Sequence, residues 1–486
     1  MAWRQCPRRL WLEVHHPELR QHTALTEARF AVGDLVGELA RSLYDPEENG
    51  EVIDVLGAGP DAGVARTAQL LERRAPIFEA GLEGGGARAF VDVLRPVRHG
   101  GRRGWDLIEV KASASLKANH RDDVAIQTYA AVQSGLELNA VKLAHVDTAF
   151  IYRGDHDYQK LLREVDLTDD ALGRLDEVAG WVEAGQAVVA LPTLPAARTG
   201  LHCRSPHACG FLPHCRAMEE PVAYPVDWLP RLQGELRRHV QASGIRDMRE
   251  LPDARLSPRQ LRVKQQTLAG RPYFDRAGAR EDLASLAAPA AFLDFEAVQL
   301  AIPVWPGTHP YQIFPFQFSL HTRASDGRIA HQEYIDLSGE EPSRAFAAAL
   351  LEAVPPHGTV FVWNASFERA RIAALAEAYP DLRVGLLGIL RRLSDLLAVA
   401  EQHYYHPDQH GSWKLKRVLP TIAADLDHAQ LADVQDGHMA VLAYVEAIQA
   451  DTAPARRMQL EHALRNYCRL DTLALVRIWE EFSREP

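Results

Sequence analysis

The stretch Phe90-Val91-Asp92-Val93-Leu94, followed through a basic, glycine-containing loop by Trp105-Asp106-Leu107-Ile108-Glu109-Val110-Lys111, decides the fold of the first half of the chain. Its two short apolar segments flank Arg95, Arg98, Arg102 and Arg103 together with Gly100, Gly101 and Gly104, a pattern that predicts a β-hairpin with a glycine-rich turn. Residues two apart on a strand face the same way, so Glu109 and Lys111 project together, with Asp92 on the partner strand. Two carboxylates and an ammonium gathered on one sheet face are costly as architecture, whereas a metal and a substrate phosphate give them a use. The competing reading is a solvated edge hairpin, on which scattered charges are ordinary.

Asp92…Glu109-Val110-Lys111 resembles the core of the PD-(D/E)xK nucleases, specifically their RecB-like branch. The resemblance implies that Asp92 and Glu109 hold a divalent metal, Mg²⁺ or Mn²⁺, that the Val110 carbonyl joins them, and that Lys111 helps activate water. The segment from Phe30 to Tyr44 places Val32, Leu35, Val36, Leu39 and Leu43 at helical spacing. Glu38 lies where this family carries an acid or histidine on its first helix, which implies a further metal ligand. Asp123-Val124-Ala125-Ile126-Gln127-Thr128-Tyr129, on a helix ending at Gly135, is similar to the family's glutamine–tyrosine motif and implies catalytic roles for Gln127 and Tyr129. Many relatives space that pair four apart, and position 131 here is Ala.

A chain of 486 residues corresponds to about three domains. Its 47% hydrophobic and 24% charged content is ordinary for a globular chain. The start, Met1-Ala2-Trp3-Arg4-Gln5-Cys6-Pro7, has no apolar leader core, and no apolar run is long enough to span a bilayer, so a cytoplasmic protein with no membrane partner is expected. A net charge of −11 argues against wholesale coating of nucleic acid and confines such binding to local basic patches.

Of five cysteines, Cys6 opens the chain, Cys203, Cys209 and Cys215 follow some two hundred residues later, and Cys468 stands alone near the end. Four cysteines bracketing one domain suggest a clasp joining its first and last segments, and thiolates in fours select iron–sulfur clusters or zinc. Iron–sulfur RecB-like nucleases, of the CRISPR-adaptation and AddB type, carry one cysteine before the nuclease core and three after it. Cys6-Pro7-Arg8-Arg9 resembles their opening and the triplet their close, which implies a 4Fe–4S cluster. The triplet lacks a Cys-x-x-Cys pair, so zinc stands as the alternative, with His207 or His214 as possible ligands.

A strand over Val141–Tyr152 and a helix over Thr168–Gly185 complete residues 1–220 as an α/β unit with a three- to five-stranded sheet. Residues 221–285 read as a basic helical connector, in which Ser243–Leu251 faintly resembles a helix–hairpin–helix DNA clamp. Residues 286–486 read as a second α/β unit. Pro289–Phe295 is an apolar strand bearing Asp294, with Glu296 two residues on and on the same face, and Phe316–His321, Gln332–Leu337 and Thr359–Trp363 are further strands. A helix opens after Pro342, another begins near Asn364 or Ser366 as cap and carries Glu368 in its first turn, and Tyr467 and Asp471 share a face of the final helix.

Asp294-x-Glu296, Asn364-x-x-Phe367-Glu368 and Tyr467-x-x-x-Asp471 resemble, in order, the three motifs of DEDD exonucleases on an RNase H-like fold. The resemblance implies that Asp294, Glu296, Glu368 and Asp471 hold metals at a scissile phosphate while Tyr467 positions the attacking water. Most such enzymes carry Asp where Glu368 stands, and Asp395 is the fallback ligand. Rings in the Trp305–Tyr311 loop are expected to stack on a terminal base. The function implied is a metal-dependent DNA nuclease acting in repair, recombination or defence. Two alternatives are a nucleic-acid-binding scaffold whose nuclease folds are inactive and an RNA-processing exonuclease.

Overall fold

The computed structural model describes residues 1–284, 286, 289–426, 431 and 434–485. The chain is mixed α/β and divides into two compact units, Met1–Glu220 with Leu300–Gln312, and Pro221–Gln299 with Ile313–Pro486. Among the described residues, no helix is long and apolar enough to cross a membrane.

The first unit is built on a six-stranded sheet, one strand beyond the expected range, whose order in space follows the chain. Its strands are β1 (Glu51–Val52), β2 (Ile77–Gly84), β3 (Ala87–His99), β4 (Arg102–Lys111), β5 (Leu138–Val146) and β6 (Leu162–Asp166). The hairpin is the antiparallel β3–β4 pair, with His99 opposite Arg102. Gly100 and Gly101 have φ of +56° and +81°, the left-handed pair that a two-residue hairpin turn matched to strand twist requires. β4 and β5 run parallel, which demands a crossover, supplied by the helix Ala118–Gln133. That helix buries Val124, Ala130 and Ala131 against Val91, Leu107 and Leu143. The helix Ala24–Tyr44 lies over the other side, with Val36 in a cluster that includes Val110, and Tyr44 against Val93 and Ile108. The expected strand Val141–Tyr152 starts earlier and ends at Val146. The expected helix Thr168–Gly185 is broken in two, Thr168–Leu172 and Leu175–Val189, with Gly173 closing the first.

Residues 300–312 are a correction to the sequence reading. Trp305 is buried, and the loop is tied into the first unit by Tyr152 N–H to Thr308 O (2.9 Å), Gly307 N–H to Tyr152 O (2.7 Å) and Tyr158 Oη–H to Pro303 O (3.1 Å). An indole packed this way is not presented to a nucleic-acid end.

The second unit contains β7 (Tyr273–Phe274), β8 (Ala290–Gln299), β9 (Ile313–Arg323), β10 (Ile329–Ile335), β11 (Thr359–Val362), β12 (Leu393–Asp395) and β13 (Tyr404–Tyr405). Five of them form a sheet in the order β10-β9-β8-β11-β12, with β8 central, antiparallel to β9 and parallel to β11. Alternation along β8 sorts its side chains. Ala291, Leu293 and Phe295 enter the core with Phe346, Ile372 and Leu386 from three helices, while Phe292 packs in the opposite cluster with Leu475 and Phe482 of the 30-residue helix Pro454–Ser483. Residues 221–285 are no separate connector. Val226, Leu229, Val240, Met248, Leu251, Val263, Ala279 and Leu283 are core residues of this second cluster. Met248 and Leu251 place the helix–hairpin–helix-like segment inside the unit's packing, and Arg249 and Arg259 are ion-paired to Asp247 and Glu401 at 2.8 Å each.

A polar layer seats the long helix on the sheet. The fully buried Thr472 shares its hydroxyl with Ser319 Oγ (2.7 Å) and His321 Nδ1 (2.8 Å), and Gln317 Nε2–H donates to Leu464 O at 2.9 Å. Thr472→Val keeps the shape but removes the partner of His321 Nδ1, while Ser319 Oγ keeps its bond to His331 Nε2 (2.9 Å), so it is expected to lower the stability of the second unit by about 1–3 kcal/mol, measured by denaturant unfolding.

Candidate functional site

In the first unit the β3–β4 ladder is paired as far as Val93–Ile108, and beyond it Asp92 Oδ2 accepts the Val110 N–H at 2.6 Å. On the same side of the β2–β3 register, Glu79 holds φ +55° between the pairs Phe78–Val93 and Ala80–Val91, so it stands opposite Asp92. The Lys111 ammonium donates to Glu109 and, at 2.9 Å, to Asp123, and Gln127 Nε2–H donates to Glu109 Oε2 at 2.7 Å. Asp92, Glu109, Lys111 and Gln127 are therefore brought together, with Asp123 added to them. Burial and then repulsion from Asp92 push the Glu109 carboxyl well up, and burial likewise raises Asp92 against the pull of Lys111. Burial works against the Lys111 ammonium, but Glu109, Asp123 and Asp92 overcome it and hold the charge.

Two residues expected here lie elsewhere. Glu38 is exposed on the helix stripe it shares with Arg41, whose guanidinium reaches Glu79 at 3.3 Å; among the described residues no hydrogen bond ties it to Asp92, Glu109 or Lys111. Tyr129 Oη–H donates to Gly85 O at 3.2 Å, pinning the β2–β3 turn, so it acts as a brace and not as a group facing the acids. Glu79 and Asp123 are the acids that motif reading missed. Only the register of β2 on β3 and the seating of the crossover helix put them beside Asp92 and Lys111.

Cys6, Cys203, Cys209 and Cys215 line one cavity, together with Arg8, Arg9, His202 and Phe211. All are free thiols, and Gln5 Nε2–H ties the first helix to His202 O and His207 O at 2.7 Å each. Burial raises the thiols of Cys203, Cys209 and Cys215, and the cysteines act electrostatically on one another. His207 and His214 do not line this cavity; His202 does.

In the second unit Asp294 and Glu296 stand on the β8 face covered by the helix Pro454–Ser483, opposite Ser319 and Gln317 of β9, and the strand bulges immediately after Glu296. On the helix, Leu464, Tyr467, Cys468, Asp471, Thr472 and Leu475 are all buried, an apolar stripe with one acid inside it. The outcome is a group of ligand oxygens from Asp294, Glu296 and Asp471 that all lie within 4.8 Å of one another and can hold a divalent metal. Burial, then Asp471 and Glu296, raise Asp294 well above the carboxylate range, and burial, then Asp471, do the same to Glu296. Glu368, in the first turn of the helix Ser366–Ala378, lies outside that trio but within its electrostatic reach. It is 3% exposed, its Oε2 has no hydrogen-bond partner among the described residues, and burial pushes its carboxyl up to about 7.

Asp395, the fallback ligand, has its oxygens taken by the N–H groups of Asn364 (3.0 Å), Ala365 (3.2 Å) and Leu397 (3.0 Å). It is the N-cap of its own helix, Leu396–His403, and holds the two residues before the helix Ser366–Ala378, whose N-cap is Ala365 without a side-chain bond and not the expected Asn364 or Ser366; Asn364 there has φ +66°. Tyr467 is buried beside the acids, and burial, then Asp471 and Glu296, keep its phenol protonated.

A family model described as Domain of unknown function (DUF2779) matches residues 291–414. No curated protein and no solved structure matches the chain. The matched segment spans Asp294, Glu296, Glu368 and Asp395 and stops short of Lys416, Tyr467 and Asp471, so it holds two members of the acidic trio and not the third.

The raised carboxyls set a sign. An acid whose pKa is higher folded than unfolded stabilises the fold below the unfolded value, and that stability is lost as pH rises through the folded value. The metal-free protein is therefore expected to lose stability from roughly pH 4 upward, with the Glu368 contribution gone above about 7. Mg²⁺ or Mn²⁺ should restore stability increasingly with pH, and Asp294→Asn should flatten the dependence; melting curves across pH with chelator or metal measure both.

Proposed function

We propose that the chain is a cytoplasmic, metal-dependent nuclease with two phosphodiesterase sites, a RecB-like PD-(D/E)xK site in the first unit and a DEDD-type, RNase H-like exonuclease site in the second. The observation that carries the reading is the meeting of Asp294, Glu296 and Asp471, brought from a central strand and the last helix to within 4.8 Å at their ligand atoms. Carboxylates deprived of water and crowded together take up protons unless a cation balances them, and a bound divalent ion would let them ionise together. At the first site Asp92 and Glu109 suit the same ion and Lys111 stands beside them.

Divalent ions, when bound, supply positive charge against a phosphodiester and lower the pKa of water. The residues supply the rest. Lys111, kept charged by Glu109 and Asp123, orients water or meets charge growing on the phosphate, and Gln127 fixes the free oxygen of Glu109. Tyr467 offers a phenol beside Asp471 to orient water at the second site. A nucleic-acid partner is supported by the β3–β4 tip. Arg98 and Arg103 face each other directly across the ladder, both exposed, and Arg74 stands near enough that, after burial, they depress its guanidinium pKa. Like charges so paired are unfavourable unless an anion answers them. DNA is the proposed substrate, with RNA as the alternative the same chemistry serves. One observation favours a binding scaffold at the second site instead, namely that Glu368 stands outside the acidic trio.

An iron–sulfur cluster is the proposed occupant of the four-cysteine cavity, with zinc as the alternative; the support is that Cys6, Cys203, Cys209 and Cys215 line it as free thiols. Cys6 and the three later cysteines, holding such a group, would tie the first helices to residues 201–217. Protein purified without oxygen is expected to be brown and to contain iron, and Cys6→Ser to lose both and to loosen the first unit; stoichiometric zinc without iron selects the alternative.

The activity test uses end-labelled single- and double-stranded DNA and RNA with Mg²⁺ or Mn²⁺. In a background lacking Asp471, Lys111→Ala is expected to abolish cleavage with the fold intact. In an Asp92→Ala background, Asp471→Asn is expected to stop 3′→5′ laddering and Tyr467→Phe to slow it by about 10²-fold, while Glu368→Asp preserves or raises it. Unchanged laddering in Asp471→Asn removes the second site from the proposal.

A further inference from the structure

The charge at the second site is incomplete without a cation that none of the acidic motifs contains. Lys416 lies on the short helix Leu415–Val418, distant in sequence from Asp294, Glu296 and Asp471. Its Nζ stands 4.7 Å from the centroid of the Tyr467 ring and donates to the Gln435 carbonyl. At Glu296 it opposes the repulsion that Asp471, Asp436 and Glu368 exert. Asp436 is itself committed as the cap of the helix Gly437–Ile448, accepting the N–H groups of His438 and Met439.

We propose that Lys416 is a further catalytic residue of this site, its ammonium taking a non-bridging oxygen of the scissile phosphodiester; the inference rests on the phosphodiesterase reading above. An ammonium has three donors. The Gln435 carbonyl takes one, and the Tyr467 ring holds the cation over its face without taking another. Donors remain for an anion arriving beside Tyr467, the side chain proposed to orient water.

The balance of charge points the same way. Asp294, Glu296 and Asp471 meet in one group, Asp436 and Glu368 add to the repulsion at Glu296, and a phosphodiester would bring a further negative charge to this acidic excess. Lys416 is the cation that acts against it at Glu296. The first site already has such a group in Lys111, held against Glu109 and Asp123, so with Lys416 each site has one lysine beside its acids.

The competing role is structural, with Lys416 only anchoring Gln435 and the chain entering Gly437–Ile448. Lys416→Met keeps the length of the side chain and its packing on Tyr467 while deleting the charge; Lys416→Arg keeps the charge. Both are compared with wild type in an Asp92→Ala background, on a single-stranded 3′-labelled oligonucleotide, with Mn²⁺ binding titrated in parallel without nucleic acid. Lys416→Met is expected to lower kcat by about 10²-fold, and Lys416→Arg to recover most of it. Mn²⁺ should bind Lys416→Met as tightly as wild type or more tightly, because a repelling charge is gone, whereas a misplaced acidic trio binds it more weakly. Wild-type turnover in Lys416→Met, or a loss of turnover accompanied by weaker Mn²⁺ binding, overturns the proposal. Absence of nucleotide release from the Asp92→Ala parent itself overturns the phosphodiesterase reading and this inference with it.

Discussion

Repulsion among carboxylates withheld from water is the constraint on which the second unit is arranged. Asp294 and Glu296 occupy alternate positions of the central strand, so an otherwise apolar β8 delivers both to one face while Ala291, Leu293 and Phe295 fill the other. The helix laid over that face brings Asp471 in among Leu464, Cys468 and Leu475, and burial is what lifts Asp294 and Glu296. Such a grouping opposes folding, and the surrounding structure outweighs it. The hydroxyl of Thr472 and the amide of Gln317 fix where the helix sits, and the aromatic core of Phe292, Phe361, Tyr405 and Phe482 holds the layers. Residues 221–285 enlarge that core, which makes them part of the scaffold that keeps the acids in place.

The first unit meets the same constraint with its own cation. Lys111 lies within hydrogen-bonding distance of Glu109 and Asp123, so part of the negative charge is neutralised before any ligand arrives. The cost appears instead in the backbone. β3 leaves the β4 ladder at Asp92, which takes a peptide N–H in place of a strand partner, and Glu79 opposite it adopts a left-handed φ of +55°. Left-handed backbone at a non-glycine residue is unfavourable by about 1–3 kcal/mol and persists where the surroundings impose it. Here those surroundings are a second acid and the Arg41 guanidinium.

Alternation, helical spacing and turn chemistry are local properties, and they were legible in the chain. The glycine turn of the hairpin, the pairing of Glu109 with Lys111 on one face, the strand of Asp294 and Glu296, and the shared face of Tyr467 and Asp471 all follow from periods of two and of 3.6. Element ends were less legible, because a strand continues wherever a neighbour pairs with it: β3 and β4 extend through residues 95–99 and 102–104, whose arginines and glycine mark a loop.

What only tertiary structure decided was the company each side chain keeps. Motif position assigned Glu38 and Tyr129 to the first site, but the rotation of one helix leaves Glu38 exposed, and Tyr129 is used to pin a turn. Asp395 fitted a ligand by its type and was taken by three backbone N–H groups. Glu79 and Lys416 carried no signal, since no spacing links them to the groups they meet, whereas Asp123 stood four residues before Gln127 on the same helix and was given no role. The aromatic loop looked exposed from its prolines, and Trp305 is buried. Sequence by itself determined which residues share a face, because that depends on the backbone's own repeat. Which faces meet was decided by non-local packing, where burial and charge are settled by partners far away along the chain.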